Sequence, residues 1–292
     1  MSKMQRTLVI AEIGECYNGD MATAYKLIET AKNCGCDIVK FQTLDIKTID
    51  DDDPERDWFY KIAMSPERIR ELVGHARKTG IEILFTPQDE ETAGWLLDCG
   101  LDSLKLASNA IGNKTLIKYA NDNFKKVYVS TGMASLTEVI ETVEKLSKPE
   151  ELYIFHCVSE YPTGPLLEKN GLSALKNENV HLNMMLMLKA LFPMHKIGYS
   201  DHTVNTFVPA IAVAMGADII EKHITLDRTT PMEHFKNGLE YMGTDHLLSL
   251  EPDELAQMVQ NIRDVEIIKG EWKWQRSEGE VLLRDFIRER FR

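Results

Sequence analysis

HKIGYSDHT, residues His195–Thr203, and DIIEKHIT, residues Asp218–Thr225, are two short apolar runs that each close on a histidine, His202 and His223. A helical stretch of about one βα unit separates them. Histidines at the ends of adjacent parallel strands converge on one point. Imidazole is the commonest metal ligand and the only ordinary side chain that titrates near neutral pH. The pair points to a metal site or an acid/base site at the mouth of an α/β fold.

Working outward, apolar runs of the same kind recur along the chain. They are Thr7–Ile13, Asp37–Gln42, Ile81–Thr86, Ser103–Ser108, Lys126–Ser130 and Leu152–Cys157, followed by Lys196–Ser200 and Asp218–His223. Between and after them lie helical patterns at Met21–Cys34, Pro66–Lys78, Ser135–Leu146 (opened by a Ser-x-x-Glu capping box), Thr203–Met215, Glu251–Ile268 and Ser277–Arg292. Near-continuous apolar strands alternating with helices predict a parallel sheet covered on both faces. Eight such units in one chain of this length match a (β/α)8 TIM barrel, a single α/β domain over residues 1–292; a doubly wound open sheet is the structural alternative. Two long connections, Leu44–Met64 with its acidic run Asp50–Asp53 and Thr229–Thr244, both follow strands and are expected over the active face. The acidic run itself reads as a solvated loop.

Composition narrows the function. The 292 residues are 43% hydrophobic and 27% charged, with a net charge of −12. That balance argues against a nucleic-acid backbone as partner, but not against a small anion met by a few local cations. The five cysteines follow no CxxC pattern, so a disulfide framework or zinc ribbon is not expected and a reducing cytoplasm is. No apolar run reaches membrane-spanning length, and the first residues lack the apolar core of a secretory signal.

In a barrel, chemistry sits at the C-terminal ends of the strands. Those ends supply Glu12, then Lys40 with Gln42, Thr86, Lys105 with Ser108, Ser130, His156, Ser200 with His202, and Glu221 with His223. Lys40 and Lys105 suit a phosphate or carboxylate as point charges, and Gln42, Ser108, Ser130 and Ser200 can donate to the same anion. His202 and His223 can hold a divalent metal with positions left open, and such an ion can polarise a carbonyl. Glu12 and Glu221 can orient a water or move a proton. Together they describe an anionic, phosphate-bearing substrate meeting a carbonyl electrophile near a metal. Three readings compete: a Schiff-base lysine, Lys40 or Lys105, as in barrel aldolases; histidines that merely cap strands through backbone carbonyls; and a degenerate barrel that binds without turnover. Cys157 follows His156, but strand neighbours face opposite sides, so no dyad is expected and Cys157 is assigned to the core.

These residues stand in a recognisable order. AEIG at Ala11–Gly14, VKFQT at Val39–Thr43, FTP at Phe85–Pro87, LKLAS at Leu104–Ser108 and STGM at Ser130–Met133 come first. HCVSEYPT at His156–Thr163, GYSDHT at Gly198–Thr203, GADIIEKHIT at Gly216–Thr225 and GTDHLLSLEPDEL at Gly243–Leu255 follow. With these motifs the chain resembles the sialic acid synthase family. The resemblance implies a transferase that condenses phosphoenolpyruvate with the aldehyde form of an amino sugar and releases phosphate by C–O cleavage. It implies Lys40, Thr86, Lys105, Ser108, Ser130 and Ser200 as the phosphoenolpyruvate site, and Glu12 as the group handling the attacking water. It further implies Gln42, Ser159, Tyr161, Glu221 and Asp245 around sugar and metal, and His202 and His223 as ligands of Mn2+, with Mg2+ or Co2+ as alternatives. A homodimer, or a separate antifreeze-like protein, is the macromolecular partner it suggests. Departures cluster on the sugar side: Cys16 and Tyr17 replace an Asn and a His, Ser159 an Asn and Ala110 an acid. The family's antifreeze-like C-terminal domain is expected to be absent.

Overall fold

The computed structural model describes residues 6–53, 56–161, 175–230, 234–236, 239–241, 244–271 and 273–291. Eight parallel strands make one sheet: β1 (Leu8–Glu12), β2 (Ile38–Thr43), β3 (Glu82–Pro87), β4 (Ser103–Leu106), β5 (Lys126–Ser130), β6 (Glu151–Cys157), β7 (Lys196–Asp201) and β8 (Ile219–His223). Their order is β3-β2-β1-β8-β7-β6-β5-β4, and β3 lies against β4, so the sheet nearly closes into a barrel. An antiparallel hairpin, β9 (His234–Lys236) with β10 (Leu239–Tyr241), follows β8.

The strand period of two sorts each strand into an outer and an inner face. Outward residues such as Val9, Ala11, Val39, Phe85, Val127 and Ile220 join the apolar layer shared with the helices, where Leu27, Ile28, Leu72, Leu116, Leu255 and Met258 are also buried. The lower interior is closed by Ile10, Ile38, Leu84, Tyr128, Tyr153, Phe155 and Ile219. Packing there is tight enough to require Gly198: a Cβ would stand 2.6 Å from Ile219 Cγ2 and 2.8 Å from Phe155 Cδ1. Above this plug the inward positions turn ionisable.

Local signals set the element ends. Ser135 and Glu138 form the reciprocal cap expected of the helix Leu136–Lys145. Pro66 opens the helix Pro66–Thr79 behind the Ser65 cap, and Gly80 closes it at φ 72°, a left-handed conformation that favours glycine. The expected helix Thr203–Met215 shrinks to Val208–Ala214. Thr203 is held back by hydrogen bonds to Asp201, and the Asn205 side chain caps the amide of Val208 instead. Helices at Arg56–Ile62, Glu90–Asp98, Lys114–Asn123, Asn183–Leu191 and Thr244–Leu248 were not anticipated. Two of them carry plain caps, Asp89 with Thr92 and Asn113 with Leu116. The strand expected over Ser103–Ser108 ends at Leu106, and Ser108 begins a 3-10 turn. In the acidic run the Asp51 side chain is 98% exposed and paired with Arg56, as a solvated loop should be. Part of Thr229–Thr244 lies outside the described residues. Among the described residues no helix is long and apolar enough to cross a membrane.

Candidate active site

A cavity of about 550 Å3 opens at the C-terminal end of the barrel. Glu12, Lys40, Gln42, Thr86, Lys105, Ser108, Ser130, Ser159, Tyr161, Ser200, His202, Glu221, His223 and Asp245 all line it. Strand geometry explains the convergence. Inward positions continue two residues above the apolar plug, so Ile10 is followed by Glu12, Ile38 by Lys40 and Gln42, Leu84 by Thr86, Tyr128 by Ser130, and Ile219 by Glu221 and His223. Asp245 comes instead from the helix Thr244–Leu248.

The floor of the cavity is an alternating charge cluster. Lys40 Nζ lies 3.2 Å from Glu12 and 3.0 Å from Glu221, with all three side chains nearly inaccessible. Lys105 Nζ reaches both Glu221 oxygens at 3.2 Å and donates to Ser130 Oγ at 2.7 Å. The Ser200 hydroxyl donates to Glu221 at 2.9 Å. The lysines are therefore not free cations: Glu12 and Glu221 already counter them. Burial opposes ionisation of Glu221, but Lys105 and Lys40 outweigh it and hold the carboxyl well below the usual range. Burial also works against a charged Lys40, yet Glu12 and Glu221 keep its pKa raised. Lys105 goes the other way: burial, seconded by the neighbouring Lys40 charge, pulls it down to about 8 against the attraction of Glu221. Glu12 is raised by burial and by Glu221, despite Lys40.

The histidines occupy the upper layer. Their ring centroids are 5.4 Å apart, and Tyr161 stands 4.4 Å from His202 and 6.5 Å from His223. His202 Nδ1 donates to the Val158 carbonyl at 2.7 Å, leaving Nε2 for a ligand. The carbonyl cap considered as an alternative role thus holds for one nitrogen of one ring only. His223 Nδ1 is buried, has no hydrogen-bond partner among the described residues, and sits 3.8 Å from Asp245 Oδ2. Burial and the nearby His202 push His223 well below its normal pKa, so its ring is neutral. Burial also disfavours a charged His202, but the adjacent Cys157 sulfur raises it to about 9, and the ring must lose that proton to bind a cation. Among the described residues no three His, Cys, Asp or Glu side chains close into a metal cage. The donor set fits an open site rather than a closed cage, and His202 and His223 are the residues that would hold an ion there.

One assignment is corrected. Cys157 is buried, but against the cavity rather than within the apolar clusters: its sulfur is 3.9 Å from His202 Nδ1. The alternation of the strand was right but its phase was not. His156 points outward and bonds the Val180 carbonyl, while Tyr153, Phe155 and Cys157 share the inner face. Two of the sugar-side departures also turn away from the cavity. Tyr17 packs edge-on against Phe41 and donates to the Ile62 carbonyl, and Cys16 lies 3.4 Å from Ser249 Oγ. Ala110 and Ser159 do line the cavity, and Glu15, Gln88, Asn109, Asn113 and Met133 join the wall without having been singled out. They sit on turns beyond the strand ends, where no period marks the inward side. Gly132 is needed beside them, because a Cβ there would overlap Ser159 Oγ and come within 2.8 Å of Ser108 Oγ.

Comparison with known proteins agrees with this fold. The NeuB family model matches residues 27–274. The N,N'-diacetyllegionaminic acid synthase of Campylobacter jejuni is 35% identical, over 95% of this chain and 81% of its own. Human N-acetylneuraminate-9-phosphate synthase is 30% identical, over 90% of this chain and 71% of its own. The crystal structure of N-acetylneuraminic acid synthetase from Leptospira borgpetersenii superposes with a TM-score of 0.83 at 28% identity, covering 97% of this chain and 92% of that one. The chain belongs to the NeuB family and, like these relatives, is a synthase-type enzyme.

Proposed function

We propose that this enzyme condenses phosphoenolpyruvate with the aldehyde form of an amino sugar, in a metal-dependent reaction that yields a sialic acid-like nonulosonate and phosphate. The observation that carries the reading is the stacking of two layers in one cavity: a lysine–carboxylate floor at Lys40, Lys105, Glu12 and Glu221, and the paired imidazoles of His202 and His223 above it. Lys40, Lys105, Ser130 and Ser200, with the buried Thr86 hydroxyl that has no partner among the described residues, supply the donors for phosphate and carboxylate. Ser108 lies on the same wall. The enol carbon forms the new C–C bond to the aldehyde carbon, water adds to the cationic carbon left behind, and the C–O bond to phosphate breaks. Glu12, its pKa raised by burial, takes one proton of that water; the aldehyde oxygen takes up a proton to become a hydroxyl, and the second water proton leaves with the phosphate as the ketone forms. His202 and His223 would hold a divalent ion, Mn2+ in this reading, which when bound would supply Lewis acidity for the aldehyde. Gln42 is within 3.3 Å of Glu12 and 3.4 Å of Asp245, and with Ser159 and Tyr161 shapes the sugar side. The sequence departures Ala110 and Ser159 fall on that side. They favour an acceptor other than N-acetylmannosamine, or a site finished by a second protein.

The test is a panel of candidate aldehydes with phosphoenolpyruvate and Mn2+, read by phosphate release and product mass. Turnover of N-acetylmannosamine at ordinary enzymatic rates, about 1–1,000 per second, would refute the altered acceptor. A second reading has one observation in its favour: the buried Lys105 with its pKa drawn down to about 8 could form a Schiff base. Aldolase chemistry of that kind releases no phosphate and leaves a lysine adduct on borohydride treatment. A trapped Lys105 adduct without phosphate release would replace the first reading.

A further inference from the structure

The faces of β7 and β8 that point away from the cavity carry a second polar cluster. Asp201 and Lys222 are register partners on the last rung of the β7–β8 ladder, both side chains are 0% exposed, and they pair at 2.7 Å. Tyr199 donates its hydroxyl to Asp201 Oδ1 at 2.7 Å, and the Thr203 amide donates to the same oxygen at 3.1 Å. The Thr203 hydroxyl donates to Asp201 Oδ2 at 2.9 Å, and Lys222 Nζ also donates to the Thr203 carbonyl. His156 of β6 stacks on Tyr199 with centroids 5.7 Å apart.

This cluster brackets the histidines. Asp201 and Thr203 flank His202, and Lys222 precedes His223. β7 ends at Asp201, so His202 lies beyond the last backbone rung and the ladder itself does not hold it. The clamp on Thr203 does. A fully buried ion pair is a poor way to gain stability, since apolar groups of similar volume commonly do as well or better. A geometric role accounts for it. We propose that the Asp201–Lys222 pair is a positioning device that locks the ends of β7 and β8 together and so fixes the spacing and ring orientation of His202 and His223. Asp201, Lys222 and Tyr199 touch no substrate; they act through the two imidazoles.

The double substitution Asp201→Leu with Lys222→Met removes both charges at similar volume, and Tyr199→Phe removes a single hydrogen bond to the same carboxylate. Two readouts apply to the full chain. The first is the side-chain 15N spectrum of metal-free protein recorded above about pH 9, where the His202 ring has lost its second proton and the spectrum reports its tautomer. The parent should show one tautomer, with the proton on Nδ1 facing Val158; the double variant should average two, and Tyr199→Phe should lie between. The second, which rests on the metal reading proposed above, is Mn2+ affinity by the resonance signal of the free ion. It should weaken by about 10–100-fold in the double variant, the usual effect of removing a ligand's supporting contacts. Phosphoenolpyruvate affinity, whose cations Lys40 and Lys105 stand on β2 and β4, should change by less than the Mn2+ affinity, under the tenfold that about 1.4 kcal/mol represents. A single unchanged His202 tautomer in the folded double variant overturns the proposal. Should that variant not fold, the same result in Tyr199→Phe does so. A parent that takes up no Mn2+ sinks the metal reading alone, because the tautomer still judges the positioning role.

Discussion

Lys105→Met is the substitution whose consequence can be worked furthest. Lys105 is 1% exposed, donates to Ser130 at 2.7 Å and to Glu221 at 3.2 Å, and lies 4.9 Å over the Phe155 ring. Its removal does not orphan Glu221, which keeps Lys40 at 3.0 Å and the Ser200 hydroxyl at 2.9 Å. The barrel should therefore fold, with methionine filling the stem's volume beside Phe155. Binding is another matter. At an effective dielectric near 20, a unit charge about 4 Å from an anion contributes about 4 kcal/mol, and truncating one partner of a buried charge pair costs about 2–5 kcal/mol in measured complexes. Taking about 2–4 kcal/mol, the dissociation constant of phosphoenolpyruvate should rise by about 30- to 1,000-fold. Calorimetric titration with phosphoenolpyruvate, alongside circular dichroism to confirm the fold, measures this directly. The Michaelis constant for the aldehyde should move by less than about threefold, because that side of the cavity does not use Lys105. A phosphoenolpyruvate affinity within threefold of the parent would refute the anion-binding role. The pH dependence gives a second check on the same residue. With its pKa drawn down to about 8, Lys105 is charged below that value and neutral above it. In the free enzyme, kcat/KM for phosphoenolpyruvate should fall as pH rises through about 8. The folding linkage has the opposite sign. The folded state binds fewer protons than the unfolded chain between about 8 and the ordinary lysine value, so stability from this group grows as pH rises across that window.

Further outcomes follow from the same geometry. His202→Ala loses one hydrogen bond to Val158, at a cost of about 1 kcal/mol; it should abolish Mn2+ uptake and metal-dependent turnover in a folded barrel, and unchanged turnover at saturating Mn2+ would exclude the ligand role. Gly198→Ala sets a methyl 2.6 Å from Ile219 and 2.8 Å from Phe155. Overpacking of that kind costs about 1–3 kcal/mol, read as a lower denaturant midpoint with an unchanged slope. Gly132→Ala drives a methyl into Ser159 Oγ and to 2.8 Å from Ser108 Oγ. It should raise the Michaelis constant of at least one substrate by about tenfold or more, and a variant with parental kinetics would show that this corner of the cavity stays empty during catalysis.

Much of the architecture is legible from residue patterning alone, because parallel strands buried on both faces leave unbroken apolar runs and each run here starts or stops within two residues of a strand end. The ionisable layer is legible for the same reason. A strand's period of two carries an inward apolar residue to an inward polar one, as Ile10 to Glu12 and Ile219 to Glu221. Phase is harder to read than period. β6 has apolar residues on both faces, so nothing in Leu152–Cys157 tells which of His156 and Cys157 faces the cavity, and the structure reverses the expectation for Cys157.

What the sequence by itself determined is the family, the barrel, and the identity of the two lysines, two glutamates and two histidines that face one another. These are local facts, carried by strand periodicity and by motifs contiguous in the chain. Only the tertiary structure decided their electrostatic state. Lys40 and Lys105 looked like free cations awaiting an anion, whereas Glu12 and Glu221, brought from β1 and β8, already neutralise them. It also revealed that Asp201 and Lys222, silent members of the two histidine motifs, close a buried pair behind the site. Charge balance and burial depend on which strands stand side by side, and that neighbourhood exists only once the barrel has formed.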